Sequence, residues 1–145
     1  MNIFLANEQK LEVDEKRLTD LARHTLESEG VEDEAELSVL LITSDHIRRL
    51  NSRFAGDDYA TDVLAFPMMD AQDDGPVVLG DVVICPEVAE NNAQKLGHQF
   101  PTELDTLLVH GTLHLLGYDH QNAIERDRMD RRIRDVLTGF GTSHA

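Results

Sequence analysis

Cysteine is nearly absent from this chain. Cys85 stands alone among 145 residues, so no internal disulfide can form, and a reducing compartment, the cytoplasm, is the expectation. Positive charge is scarce too: 13 Lys and Arg face 28 Asp and Glu, a formal net charge of −15. That balance argues against broad, nonspecific nucleic-acid binding, which relies on basic surface, but leaves room for a local basic patch. No apolar run approaches the length of a membrane span. The start, Met1 to Glu8, has neither the basic region nor the long apolar core of a secretion signal. Repeats, linkers and low-complexity tracts are missing as well. The length therefore predicts one domain, 1–145, with enough chain for a proper core.

What is present concentrates in eleven residues, His110-Gly111-Thr112-Leu113-His114-Leu115-Leu116-Gly117-Tyr118-Asp119-His120, which hold three of the seven histidines. His110 and His114 are four apart, so on a helix their side chains share one face, one turn apart. Gly117 sits where a helix would stop, because glycine enters the left-handed conformation without steric cost. The turn it permits brings His120 back toward the same point. Three imidazoles with one open position are the ligand count of a catalytic zinc site. Metzincin proteases use the same spacing, glycine included, but carry Glu directly after the first His as the base. Here that position is Gly111: the cage is present and the protease base is missing.

Apolar spacing predicts the remaining elements. Ile3-Phe4-Leu5 reads as a strand. Asp14 offers an N-cap to a helix with Leu18, Leu21, Ala22, Thr25 and Leu26 on one face, ended by Gly30. Leu37 to Thr43 reads as a buried strand, and Ser44 or Asp45 caps the next helix. Asn51 to Asp62 is polar and turn-rich, a loop that runs into the strand Val63 to Phe66, closed by Pro67. Asp70 to Pro76 is turn chemistry. Val77 to Leu79 resumes an apolar run, Gly80-Asp81 interrupts it, and Val82 to Cys85 follows. A glycine in such a pattern marks a bulge or a close approach by another group. Pro86 opens a helix ending at Gly97, Pro101 opens the histidine helix, and a last helix covers roughly Asn122 to Leu137, leaving Gly139 to Ala145, with His144, as a tail. The mixed order predicts an α+β or α/β fold, a central mixed sheet of about four strands packed with helices. The metal site falls on a helix in the C-terminal half and the turn after it.

Two features carry alternatives. Arg126, Arg128, Arg131, Arg132 and Arg134 cluster on the last helix, either as a basic patch or as a solvated helix with internal pairs to Asp127, Asp130 and Asp135. Cys85 is either a small buried hydrophobe or a fourth metal ligand that would close the site.

Three blocks together resemble the YbeY family, bacterial endoribonucleases associated with ribosomal RNA maturation. His110 to His120 matches the family's H-G-x-L-H-L-x-G-Y-D-H pattern throughout. Leu79 to Cys85 and Leu50-Asn51 through Pro67 resemble its other two blocks. The resemblance implies a small domain with a central sheet, a zinc ion held by His110, His114 and His120, and single-stranded RNA, ribosomal RNA above all, as substrate. Work around the small ribosomal subunit and its assembly proteins is implied as well. One departure stands out. The family commonly has an arginine before the loop glycine, whereas this chain has Ala55 before Gly56, with Ala60 and Ala65 at the family's proline and serine. Arg53 is the nearby candidate to replace that arginine, and Arg128 and Arg132 are further candidates for substrate contact.

Zinc so held lowers the pKa of a bound water to about 7 and neutralises charge on a phosphoryl oxygen, and cleavage there needs few protein groups. Asp62 and Asp81 are candidates to orient a ligand histidine, or else ordinary residues bonded to backbone. Asp119 reads as a turn residue. Two alternatives differ in class. A peptidase needs a carboxylate beside the metal and a groove for an extended peptide. A noncatalytic ribosome-assembly factor needs a fourth protein ligand and a structural zinc.

Overall fold

A computed structural model describes residues 1–68 and 77–143 of the chain. In order, the elements are β1 (Asn2–Glu8), α1 (Glu15–Ser28), β2 (Glu36–Ile42), α2 (Ser44–Ala55), β3 (Val63–Pro67), β4 (Val78–Ile84), α3 (Pro86–Leu96), α4 (Phe100–Leu115) and α5 (Ala123–Ser143). The strands form one sheet in the order β1-β2-β4-β3. β1, β2 and β4 run parallel and β3 runs antiparallel to β4. Parallel neighbours need a crossover, and α1 supplies it between β1 and β2. The expected α+β domain with a mixed four-stranded sheet is what forms.

Strand alternation divides the buried side chains between the two faces of the sheet. Leu37, Val39 and Leu41 of β2 and Val82 and Ile84 of β4 join Leu21 and Leu26 of α1, Leu108 and Leu113 of α4 and Met129 of α5 in the main core. Burying each such side chain contributes about 1.5–3 kcal/mol relative to exposure. Val83 and Cys85 point the other way, into a smaller cluster with Ile42 and Ile47 under α2. Helix α4 lies against the sheet through Gly111, where a Cβ would stand 2.6 Å from Val82 Cγ1 and 3.2 Å from Val63 Cγ2. The missing side chain lets the histidine helix sit close on β3 and β4.

Several boundaries differ from the sequence expectation. Thr43, not Ser44 or Asp45, caps α2, its hydroxyl accepting the His46 N–H. The helix then absorbs Asn51 to Ala55 from the expected loop. Asn51 is buried there and satisfied, its amide donating to the Tyr59 carbonyl at 3.0 Å. Gly80 does not split the apolar run, because β4 passes through it. Both expectations for that glycine hold. The β2–β4 register shifts between Glu36 and Leu37, and at φ 135° a Cβ on Gly80 would lie 2.2 Å from the Phe66 carbonyl oxygen. At the C-terminus, helix replaces most of the expected tail. Phe140 is buried, its ring 5.5 Å from that of His24, and this packing overrides the low helix propensity of Gly139 and Gly141. The Asp70–Pro76 turn and His144 lie outside the described residues.

Candidate metal centre

The site begins with how α4 ends. Tyr118 N–H donates to the Leu113 carbonyl and Gly117 N–H to the His114 carbonyl, each at 3.1 Å. This is the Schellman pairing, with Gly117 in the left-handed position at φ 103°. The reversal folds residues 118–120 back over the last turn of the helix. His110 and His114 project from one side of α4, and His120 arrives from the turn. The ring centroids of His110 and His120 are 5.7 Å apart, and those of His114 and His120 are 6.2 Å apart.

Local bonds prepare the imidazoles as ligands. His114 Nδ1 lies 3.1 Å from the Tyr118 carbonyl. A carbonyl only accepts, so Nδ1 carries the hydrogen and Nε2 keeps its lone pair for a metal. Burial lowers the pKa of His110, the neighbouring His120 lowers it further, and Asp62 opposes both. A metal-ligating histidine must be neutral, and this environment favours that form. Nitrogen and carboxylate donors in this number fit zinc.

One group of candidate ligands contains a carboxylate and not His110. Ligating atoms of His114, Asp119 and His120 all lie within 4.8 Å of one another. Asp119 is a turn residue as expected, its Oδ1 accepting the His120 N–H at 2.7 Å, and it also offers an oxygen to an ion. Its position next to the third histidine was the available signal. Of its two expected readings, Asp62 takes the one bonded to backbone. Its Oδ1 accepts the Val63 N–H at 2.8 Å and its Oδ2 an N–H of Asn92 at 3.1 Å, while its charge acts on His110. Asn92 on α3 had no signal in the sequence.

Other candidates fall elsewhere. Asp81 cannot orient a ligand histidine: Val82 faces Gly111 on α4, so its neighbour along the strand faces the opposite side of the sheet. There Asp81 lines a groove of about 600 Å³ with Phe4, Leu40 and Phe66. Cys85 is not a fourth ligand. It is fully buried under α2, its Sγ 3.6 Å from the Ser44 hydroxyl. Arg53 lies over the Phe54 ring and borders a groove with Arg48, Ser52 and Asp58 that none of the histidines lines.

Arg132 is already engaged. It donates through Nε to Glu29 and through Nη2 to the Ser28 carbonyl at 2.9 Å, and Tyr118 Oη donates to the same Glu29 at 2.9 Å. Its role is to tie α5 and the metal-site turn to the end of α1. Arg128 is different. It borders one groove with Gly117, Tyr118 and Asp119, and a second with Tyr118 and Arg131. Among the described residues, no arginine of α5 pairs with Asp127, Asp130 or Asp135 within 4.0 Å. The internal-pair reading of that helix does not hold.

Comparison with known proteins shows the family. The sequence matches the family model described as Endoribonuclease YbeY over residues 4–141. It is 46% identical over 140 residues to Endoribonuclease YbeY of Salinispora tropica, covering 89% of each chain. It is 42% identical to that of Thermobifida fusca, covering 99% of this chain and 96% of the relative. The solution structure of TM1509 from Thermotoga maritima superposes with a TM-score of 0.62 at 28% identity, covering 98% of this chain and 93% of that one. The family match spans both the sheet and the histidine turn, and on it the chain belongs to the YbeY family.

Proposed function

We propose that the chain is a zinc-dependent endoribonuclease that cleaves single-stranded RNA in the cytoplasm, acting in ribosomal RNA processing and maturation of the small ribosomal subunit. The observation that carries the reading is the convergence of His110, His114 and His120 at one turn, with the His110 imidazole favoured in the neutral form, in a chain whose relatives are named endoribonucleases. His110, His114 and His120 would hold the ion, with Asp119 within reach of it. Zinc bound there would supply Lewis acidity toward a phosphoryl oxygen and acidify a bound water.

The chain's own residues do the rest. The Tyr118 carbonyl fixes the orientation and tautomer of His114. Asp62 places negative charge beside His110. Arg128, which borders the turn, would bind a phosphate oxygen. Gly111 counts against a peptidase, since a glutamate there would begin 2.6 Å from Val82 Cγ1.

Asp119 favours one other reading. If its carboxylate completes a four-ligand site, the zinc is structural and the protein is a noncatalytic assembly factor. The deciding experiment is cleavage of a single-stranded precursor-rRNA fragment by zinc-loaded protein, beside His114→Ala purified identically. Activity confined to the zinc-loaded wild type supports the nuclease. Zinc bound without activity supports the assembly factor, and equal activity in both preparations identifies a contaminant.

A further inference from the structure

The groove between Tyr118 and α5, about 460 Å³, is not used by the metal centre. Arg128 and Arg131 line it. They are three apart on one helix, so their Cβ atoms are neighbours at about 5–6 Å. Neither guanidinium has an ion-pair partner among the described residues, although Asp127 and Asp135 border the same groove. Ile124 also lines it and is 73% exposed, an unusual exposure for a large aliphatic side chain one turn before Arg128. Arg128 and Tyr118 both line the adjoining groove that contains Asp119, so the two spaces connect at those residues.

We infer that this groove is a subsite for the part of a single-stranded RNA adjoining the phosphodiester held at the histidines. Arg128 takes the phosphate nearer the metal centre, Arg131 takes the next one along the strand, and Ile124 offers an apolar surface to the face of a base. The occupant follows from chemistry: two unpaired guanidinium forks in line suit successive phosphates, and an apolar side chain beside them suits a nucleobase. The arrangement also places phosphate recognition on α5, in a chain that has Ala55 where the resemblance leads one to expect an arginine at the end of α2. The inference rests on the ribonuclease reading above.

The test uses zinc-loaded protein and a short fluorescein-labelled oligouridylate carrying 2′-O-methyl groups, titrated by anisotropy across a salt series. Unmodified oligouridylate reports cleavage in parallel. Arg131→Gln should make the plot of log affinity against log salt shallower by about 0.7, the share of one phosphate in a single strand. Adding Arg128→Gln should roughly double that change. Ile124→Ser should lower affinity several-fold at an unchanged slope, and Asp127→Asn should tighten binding. All four side chains are exposed, and zinc content should stay constant across the series. A slope unchanged by Arg131→Gln, with wild type binding and cleaving, overturns the subsite and leaves the nuclease reading standing. Wild type that neither binds nor cleaves removes the reading beneath the subsite and the subsite with it.

Discussion

Helix α4 buries nine of its sixteen residues, among them Leu104, Leu108, Val109 and Leu113, and fits the sheet through a position too tight for a methyl group. Helix α5, joined to it by the metal-site turn, buries only Met129, Ile133, Val136 and Phe140 among its described side chains and exposes Arg126, Arg128 and Arg131. On the function proposed above, the contrast follows from what each helix is to hold. Ligands for one ion must be fixed to within fractions of an ångström, and a helix packed on several sides supplies that rigidity. Contacts to a flexible polyanion need charge that is solvated and unspent, which a helix anchored along one stripe provides.

Breaking the α4 side should have the largest effect. His114→Ala should abolish stoichiometric zinc binding, measured by metal analysis after dialysis, and cleavage with it. Retained stoichiometric zinc would mean that the three-histidine assignment is wrong. Gly111→Ala comes next. Alanine normally favours a helix over glycine by about 1 kcal/mol, but here the new methyl meets a fully buried valine. Overpacking should win, with a net loss of about 1–3 kcal/mol in urea unfolding. Val82→Ala in the same chain should recover part of it, and a stabilised single variant would show that α4 has room to move.

Smaller effects probe the ties between the two helices. Tyr118→Phe removes the phenol bond to Glu29, which Arg132 also uses. It should cost about 0.5–1.5 kcal/mol while leaving zinc affinity nearly intact, because His114 bonds to the Tyr118 carbonyl rather than the ring. The smallest is a pH effect. Arg17 donates to Asp105 of α4 at 2.7 Å and lies 5.1 Å over the Phe140 ring of α5. Burial raises the Asp105 pKa, with Arg17 opposing. The folded state therefore favours the neutral carboxyl. Its contribution is fully present below the unfolded value of about 3.9 and is lost as pH rises through the higher folded one. Asp105→Asn should gain stability relative to wild type between pH 4 and pH 7 in urea melts, and a gap that narrows instead would reverse the sign.

The candidate metal centre was legible as a candidate because its residues are local. His110, His114, Gly117 and His120 sit within eleven residues, and helix periodicity with one permissive glycine nearly determines their meeting. Asp81 was misjudged for the complementary reason. Its block in the sequence is distinctive, but the side a strand residue faces depends on which alternate residue the core takes, and Val82 took it. Arg132 and Arg128 have the same composition and helix in common. Only the end of α1, some hundred residues away in sequence, separates the one tied to Glu29 from the one with no ion pair among the described residues.

By itself the sequence determined the elements, the mixed sheet and the three-histidine turn, since all of these follow from short-range spacing and backbone stereochemistry. The tertiary structure alone decided that Asp119 stands within 4.8 Å of the His114 and His120 ligand atoms, that Asn92 holds Asp62, that Cys85 lies under α2, and which arginines have no ion pair among the described residues. Those outcomes depend on contacts between segments distant in sequence or on the exact path of a turn, and side-chain direction there is set by packing rather than by periodicity.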